Sequence, residues 1–169
     1  MPRLWCFSTT QTRSSAPPKA RGGLAAVLVT LTVLAACTPP AGRGLPHDAL
    51  DNYIAAAIGD PGTCVLIADR ATGQVVYRYG ENVTCARQLP ACDRPGSLTN
   101  ADTLRLIATT PRLASCDSAP GRRVGWAAGP VPGTRPLNYA AVMEVESSRA
   151  LPGIEIQTRL AEAFQHAGL

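Results

Sequence analysis

Lysine is nearly absent from this chain: Lys19 is the only one in 169 residues. Nothing downstream of it can supply an amine to take a proton from a serine hydroxyl. Histidine is almost as scarce, with His47 and His166 the two imidazoles available to a hydrolytic triad. Aromatic residues make up 5% of the chain, and no Cys-x-x-Cys pair occurs, which argues against a zinc site. No apolar run reaches the roughly 20 residues that a spanning helix needs. The longest, Leu24 to Ala36, ends after about 13 residues at Cys37, Thr38, Pro39 and Pro40. The glycines between Gly121 and Gly129 lack the spacing of a phosphate-binding loop. There is no internal repeat and no coiled-coil period.

What is present begins with the leader. Arg3, Arg13, Lys19 and Arg21 form a basic start, Leu24 to Leu34 is almost purely apolar, and small residues lead into Cys37. These are the three parts of a secretory signal. Leu34-Ala35-Ala36-Cys37 resembles the lipobox of bacterial lipoproteins, whose cysteine thiol receives a diacylglycerol and becomes the first residue after cleavage. The resemblance implies removal of residues 1–36 and a membrane partner reached through lipid on Cys37. Two or three acyl chains would make that anchoring stable. Thr38, the residue after Cys37, is not Asp, which in a Gram-negative lipoprotein implies an outer-membrane address facing the periplasm. The basic region is long, which allows a start codon downstream of Met1.

Cleavage changes the charge. All four basic residues before Cys37 leave and no acidic residue goes with them, so twelve arginines face twelve carboxylates. The formal +4 belongs to the leader, and the remaining charges are interspersed, without the basic stripe of a nucleic-acid surface.

Cys6 departs with the leader and Cys37 is lipidated, leaving Cys64, Cys85, Cys92 and Cys116. In an oxidising envelope four cysteines read as two disulfides. Three connectivities exist. We favour Cys85 with Cys92, which closes a short loop around Pro90, and Cys64 with Cys116. Each bridge contributes about 2–4 kcal/mol.

Residues 37–46, rich in Pro and Gly, read as a lipidated flexible tether, and residues 47–169 as a single domain. Pro46 to Gly59 carries a helical stripe of Leu50, Tyr53, Ile54, Ala57 and Ile58, with Asp48 as a cap and Asp60-Pro61-Gly62 as a stop. Thr63 to Asp69 reads as a strand covered on both faces. A turn at Thr72-Gly73 returns the chain as a second strand, Val75 to Tyr79. Gly80 to Gly96 reads as a long disulfide-bearing loop. Asp102 to Ala108 reads as a short helix with Leu104, Ile107 and Ala108 on one face. Strands follow over Arg112 to Cys116, Arg123 to Ala128 (Val124 and Trp126 on one face) and Leu137 to Val145. Gly153 to Ala167 is an amphipathic helix whose stripe is Ile156, Leu160, Ala163, Phe164 and Ala167, ending before Gly168. Glu155 and Arg159 pair at i, i+4. The class is α+β.

Three blocks then carry a resemblance. Val65-Leu66-Ile67-Ala68-Asp69 with Thr72-Gly73-Gln74 resembles the first hairpin of serine β-lactamases and penicillin-binding proteins. Val124-Gly125-Trp126 and Tyr139-Ala140-Ala141-Val142-Met143-Glu144 resemble their last two strands, and Leu151-Pro152-Gly153-Ile154 the entry to their final helix. The resemblance covers about half of the mature chain. It implies an antiparallel sheet of about five strands in the order 2-1-5-4-3, with the N- and C-terminal helices packed on one face. Profilin-like and roadblock-like binding modules share that topology.

The family's chemistry is missing. It needs a serine with a lysine three residues later. Here Cys92 is followed at that distance by Pro95, and Ser97 by Asn100. The expectation is a non-catalytic binding or scaffolding domain at the envelope, with a protein or peptidoglycan partner, no cofactor and no metal. A degraded paralogue would share these features. The rival is an enzyme using an unfamiliar thiol or carboxylate. Cys92 lies between Arg87 and Arg94, which would favour a thiolate. Glu144 and Glu146, at i, i+2, share one side of a strand, although solvent-facing glutamates are the common case. His166 suits the end of a helix and a pair with Glu162, and His47 an exposed helix start. Trp126 and Tyr139 are core residues or a recognition pair. An exposed edge at the second or third strand could pair with another chain. Asn82-Val83-Thr84 matches a glycosylation sequon, irrelevant in a bacterium.

Overall fold

The computed structural model describes residues 44–107 and 111–169; the leader, the lipobox with Cys37 and most of the tether lie outside them, as does Ala108. Helix α1 (His47–Ile58) buries Leu50, Ile54 and Ile58. Tyr53 falls off that stripe and is exposed. Pro46 occupies the cap position without a side-chain bond, and Asp48 sits in the first turn instead of capping it, where its charge still suits the helix dipole. Leu45 is buried in the core and Gly44 O accepts from Arg135, so the domain begins two or three residues before His47.

Strands β1 (Thr63–Asp69) and β2 (Val75–Tyr79) form the first hairpin. All of β1 is buried, as its unbroken apolar run requires of a strand covered on both faces. The segment read as a long loop is instead built: a short helix α2 (Asn82–Cys85), then two brief strands β3 (Leu89–Pro90) and β4 (Ser97–Leu98) paired with each other. Helix α3 (Asn100–Leu106) starts two residues before the expected Asp102, because Thr99 and Asp102 close a capping box.

Three long antiparallel strands follow: β5 (Arg112–Ala119), β6 (Arg122–Pro130) and β7 (Leu137–Glu146). Helix α4 (Gly153–His166) closes the chain, with all five expected stripe residues buried. Gly168 ends it at a φ of 81°, a conformation glycine adopts without steric cost. The sheet order is β2-β1-β7-β6-β5. Counting only the strands of this sheet, that is the expected 2-1-5-4-3.

Side-chain alternation divides the core in two. On the first face, Val65, Ile67, Ala127, Tyr139, Ala141, Met143 and Val145 meet α1 and α4 in one apolar cluster. Gly153 lets α4 begin against the sheet, since a Cβ there would lie 2.3 Å from the carbonyl oxygen of Trp126. On the second face, Cys64, Leu66, Val124, Trp126 and Val142 meet Cys85, Leu89 and partly buried residues of α3. Residues 80–107 therefore form an insert that covers this face. Among the described residues, no helix is long and apolar enough to cross a membrane.

Candidate functional site

The second face is where the polar side chains of interest gather. Two disulfides pin the insert to it. Cys64 on β1 bonds Cys85 at the end of α2, and Cys92, just past β3, bonds Cys116 on β5, with Cα separations of 5.2 and 5.4 Å. This corrects the favoured pairing of Cys85 with Cys92 and Cys64 with Cys116. Strands β1 and β5 are three spacings apart in the sheet, roughly 14 Å, whereas a disulfide needs its Cα atoms within about 7 Å. The extended stretch at Leu89–Pro90 carries Cys92 away from α2 to the sheet's far edge.

Glu144 is the hub at one end. It is 7% exposed, so it is not the solvent-facing strand residue expected. Arg87 Nη1 donates to its Oε2 at 2.6 Å, and Ser118 Oγ donates to Oε1 at 2.8 Å. Arg122 reaches Oε1 through Nε at 3.4 Å and the Glu144 carbonyl through Nη2 at 3.0 Å. Burial alone would push the carboxyl up, but the hydrogen bonds from Arg122, Ser118 and Arg87 outweigh it and hold it below the ordinary carboxylate range. A carboxylate so engaged stays ionised and has no proton to give at neutral pH. Glu146, two residues on, is exposed and lies 3.9 Å from Arg149.

Asn100 is the second buried polar group, fully enclosed at the start of α3. Its Nδ2 donates to the carbonyls of Cys64 and Ala140 at 3.1 and 3.0 Å, tying α3 to β1 and β7. Its Oδ1 has no partner among the described residues. Ser97, three residues earlier, is exposed on β4. Three residues after Ser97 the chain thus carries an amide, which cannot accept a proton at neutral pH.

Arg112 is the third. It faces the insert with Ala114 and Cys116 at i+2 and i+4, and is 7% exposed. Its Nη2 donates to the carbonyl of Ala91 and pairs with Asp93 at 2.6 Å, while Nε and Nη1 are buried without partners among the described residues. Burial lowers its pKa, with Asp93 opposing that effect and Arg94 adding to it, but guanidinium starts too high to discharge at neutral pH. Trp126 closes the group by donating from Nε1 to the Pro90 carbonyl at 2.8 Å.

The remaining candidates scatter. Trp126 and Tyr139 are both core residues on opposite faces, not a recognition pair, and burial pushes the Tyr139 phenol up to about 12. His166 lies against exposed Tyr53, ring centroids 5.4 Å apart and tilted by 37°, and among the described residues it makes no ion pair with Glu162. His47 lies 5.4 Å from the ring of Tyr77, whose hydroxyl donates to Asp51 at 2.6 Å. A cavity of about 300 Å³ opens beside Arg70, Arg105 and Asn138, but Arg70 already donates to Asn138 and to the Leu137 carbonyl. Among the described residues, no three His, Cys, Asp or Glu side chains group as a metal site.

Sequence reasoning missed the burial of Arg112 and the role of Asn100. Strand parity with Cys116 offered a signal for the first, and the Thr99-x-x-Asp102 box for the start of the helix that carries the second. No family model, curated protein or solved structure matches the chain.

Proposed function

We propose that this chain is an envelope lipoprotein, lipidated at Cys37, whose single domain binds or scaffolds a protein or peptidoglycan partner without catalysing a reaction. The observation that carries the non-catalytic reading is Asn100. It lies three residues after Ser97, the spacing at which the resemblance calls for a lysine, and is fully buried with its amide donating to two strand carbonyls. The rivals lose support from the same face. Cys92 is engaged in a disulfide, and Glu144 is an ionised hub held by three donors. Two disulfides in one small domain fit an oxidising compartment such as the periplasm, and Leu34-Ala35-Ala36-Cys37 supplies the outer-membrane anchor.

The test is intact mass of the native protein from a bacterial host, with and without a reactive penicillin. The expected result is a mature chain beginning at diacylated Cys37 that gains no penicillin mass. An adduct would overturn the non-catalytic reading. An unmodified Cys37 in an unprocessed chain would overturn the anchor.

A further inference from the structure

The two disulfides differ in what shields them. Cys64 is fully buried and Cys85 nearly so, at 0% and 8% exposure. Cys92 and Cys116 are both partly exposed, beside the edge strand β5. Cys92 also holds a φ of 65°, the one non-glycine residue in the left-handed region among those described. An L residue rests there only where its surroundings over-determine it, and the bond to Cys116 is one of those constraints. The short loop that follows, Asp93–Gly96, is wholly exposed.

Beneath Ala91 and Asp93 lies Arg112, with two of its nitrogens desolvated and unpaired among the described residues. A buried donor without an acceptor opposes the closed state of whatever covers it. The loop is therefore held down by the Cys92–Cys116 bond, the Arg112–Asp93 pair and the Trp126–Pro90 bond, against an unsatisfied guanidinium and a left-handed cysteine.

We infer that Cys92–Cys116 is a redox latch, opened by a dithiol reductant while Cys64–Cys85 stays closed. A thiolate of the dithiol attacks one sulfur of the bridge and expels the other as a thiolate, which takes up a proton. The second thiol of the reductant then resolves the mixed disulfide. Two electrons pass to the protein, which ends with two thiols, and the reductant leaves as a disulfide. The buried pair is spared because an attacking thiolate cannot reach it. Once open, the loop frees Cys92 from its left-handed conformation and gives water access to Arg112. Beside Arg94, it then presents a cationic surface along β5. This holds whether or not Cys37 is lipidated.

The experiment is graded reduction of the native full-length chain with dithiothreitol, quenched by alkylation with N-ethylmaleimide and read by peptide mass. Amide hydrogen exchange is followed on the same samples. Cys92 and Cys116 should become labelled at least about tenfold faster than Cys64 and Cys85. Exchange over residues 91–96 should rise while β1 and β7 stay protected. A Cys92→Ser, Cys116→Ser variant should show the same raised exchange with Cys64–Cys85 intact. Simultaneous loss of both bridges, or prior loss of Cys64–Cys85, would overturn the latch. So would a selectively reduced protein or double variant whose loop stays as protected as wild type.

Discussion

The terminal helices and the insert bury opposite faces of one sheet, and they do so by different means. The first face is mainly apolar, with buried Thr63 and Asp69 at the two ends of β1, and is closed by α1 and α4 through Leu50, Ile54, Ile156, Leu160 and Phe164. The second is shared among a smaller apolar cluster, two disulfides and buried polar groups that include Glu144, Asn100 and Arg112. Helices of 12 and 14 residues present whole stripes and hold by hydrophobic burial. Helices α2 and α3, with 4 and 7 residues, are too short to hold by packing alone. Cross-links and side-chain bonds to strand carbonyls supply what the short helices lack.

That contrast can be broken most forcefully from the first face. Phe164 is fully buried and packs edge-on against Tyr139 at 5.3 Å. Phe164→Ala should cost about 3–5 kcal/mol in urea unfolding, with both faces lost in one transition. On the second face, Cys64→Ala with Cys85→Ala should cost about 2–4 kcal/mol and raise hydrogen exchange in α2 before β1.

Glu144 sharpens the comparison through pH. Its folded pKa is lowered, below the roughly 4.3 of a free glutamate. Its stabilisation is therefore fully present above that value and is lost as pH falls through the lowered folded pKa. Glu144→Gln should cost about 1–2 kcal/mol at pH 7, since Arg87 and Arg122 are partly solvent-screened. It should also flatten the acid side of the stability curve, measured by unfolding between about pH 6 and 2. The smallest effect belongs to the cap of α3: Thr99→Ala should cost about 1 kcal/mol, read by the same urea titration.

The same division governed what the sequence made legible. The first face was readable because its elements are long and periodic: β1, β2 and the stripe of α4 fall where apolar spacing puts them. The insert was not, because a two-residue strand and a four-residue helix carry no period. Its disulfides were misassigned for an instructive reason. Loop length favoured joining Cys85 to Cys92, yet the expected strand order already set Cys64 and Cys116 three strands apart. Topology, with its spacing of about 4.8 Å per strand, is the stronger constraint. Arg112 lay hidden because a charged residue is rarely buried, although its parity with Cys116 put it on the covered face. Asn100 was visible only as the residue three places after Ser97, not as the one that ties α3 to two strands.

The most direct test of the insert as a lid stapled at two separate points is proteolysis of the native chain without reduction, with thiols blocked beforehand. Mass analysis should find Cys64 linked to Cys85 and Cys92 linked to Cys116. A peptide closing Cys85 onto Cys92, or one joining Cys64 to Cys116, would contradict both the sheet order and the covered second face.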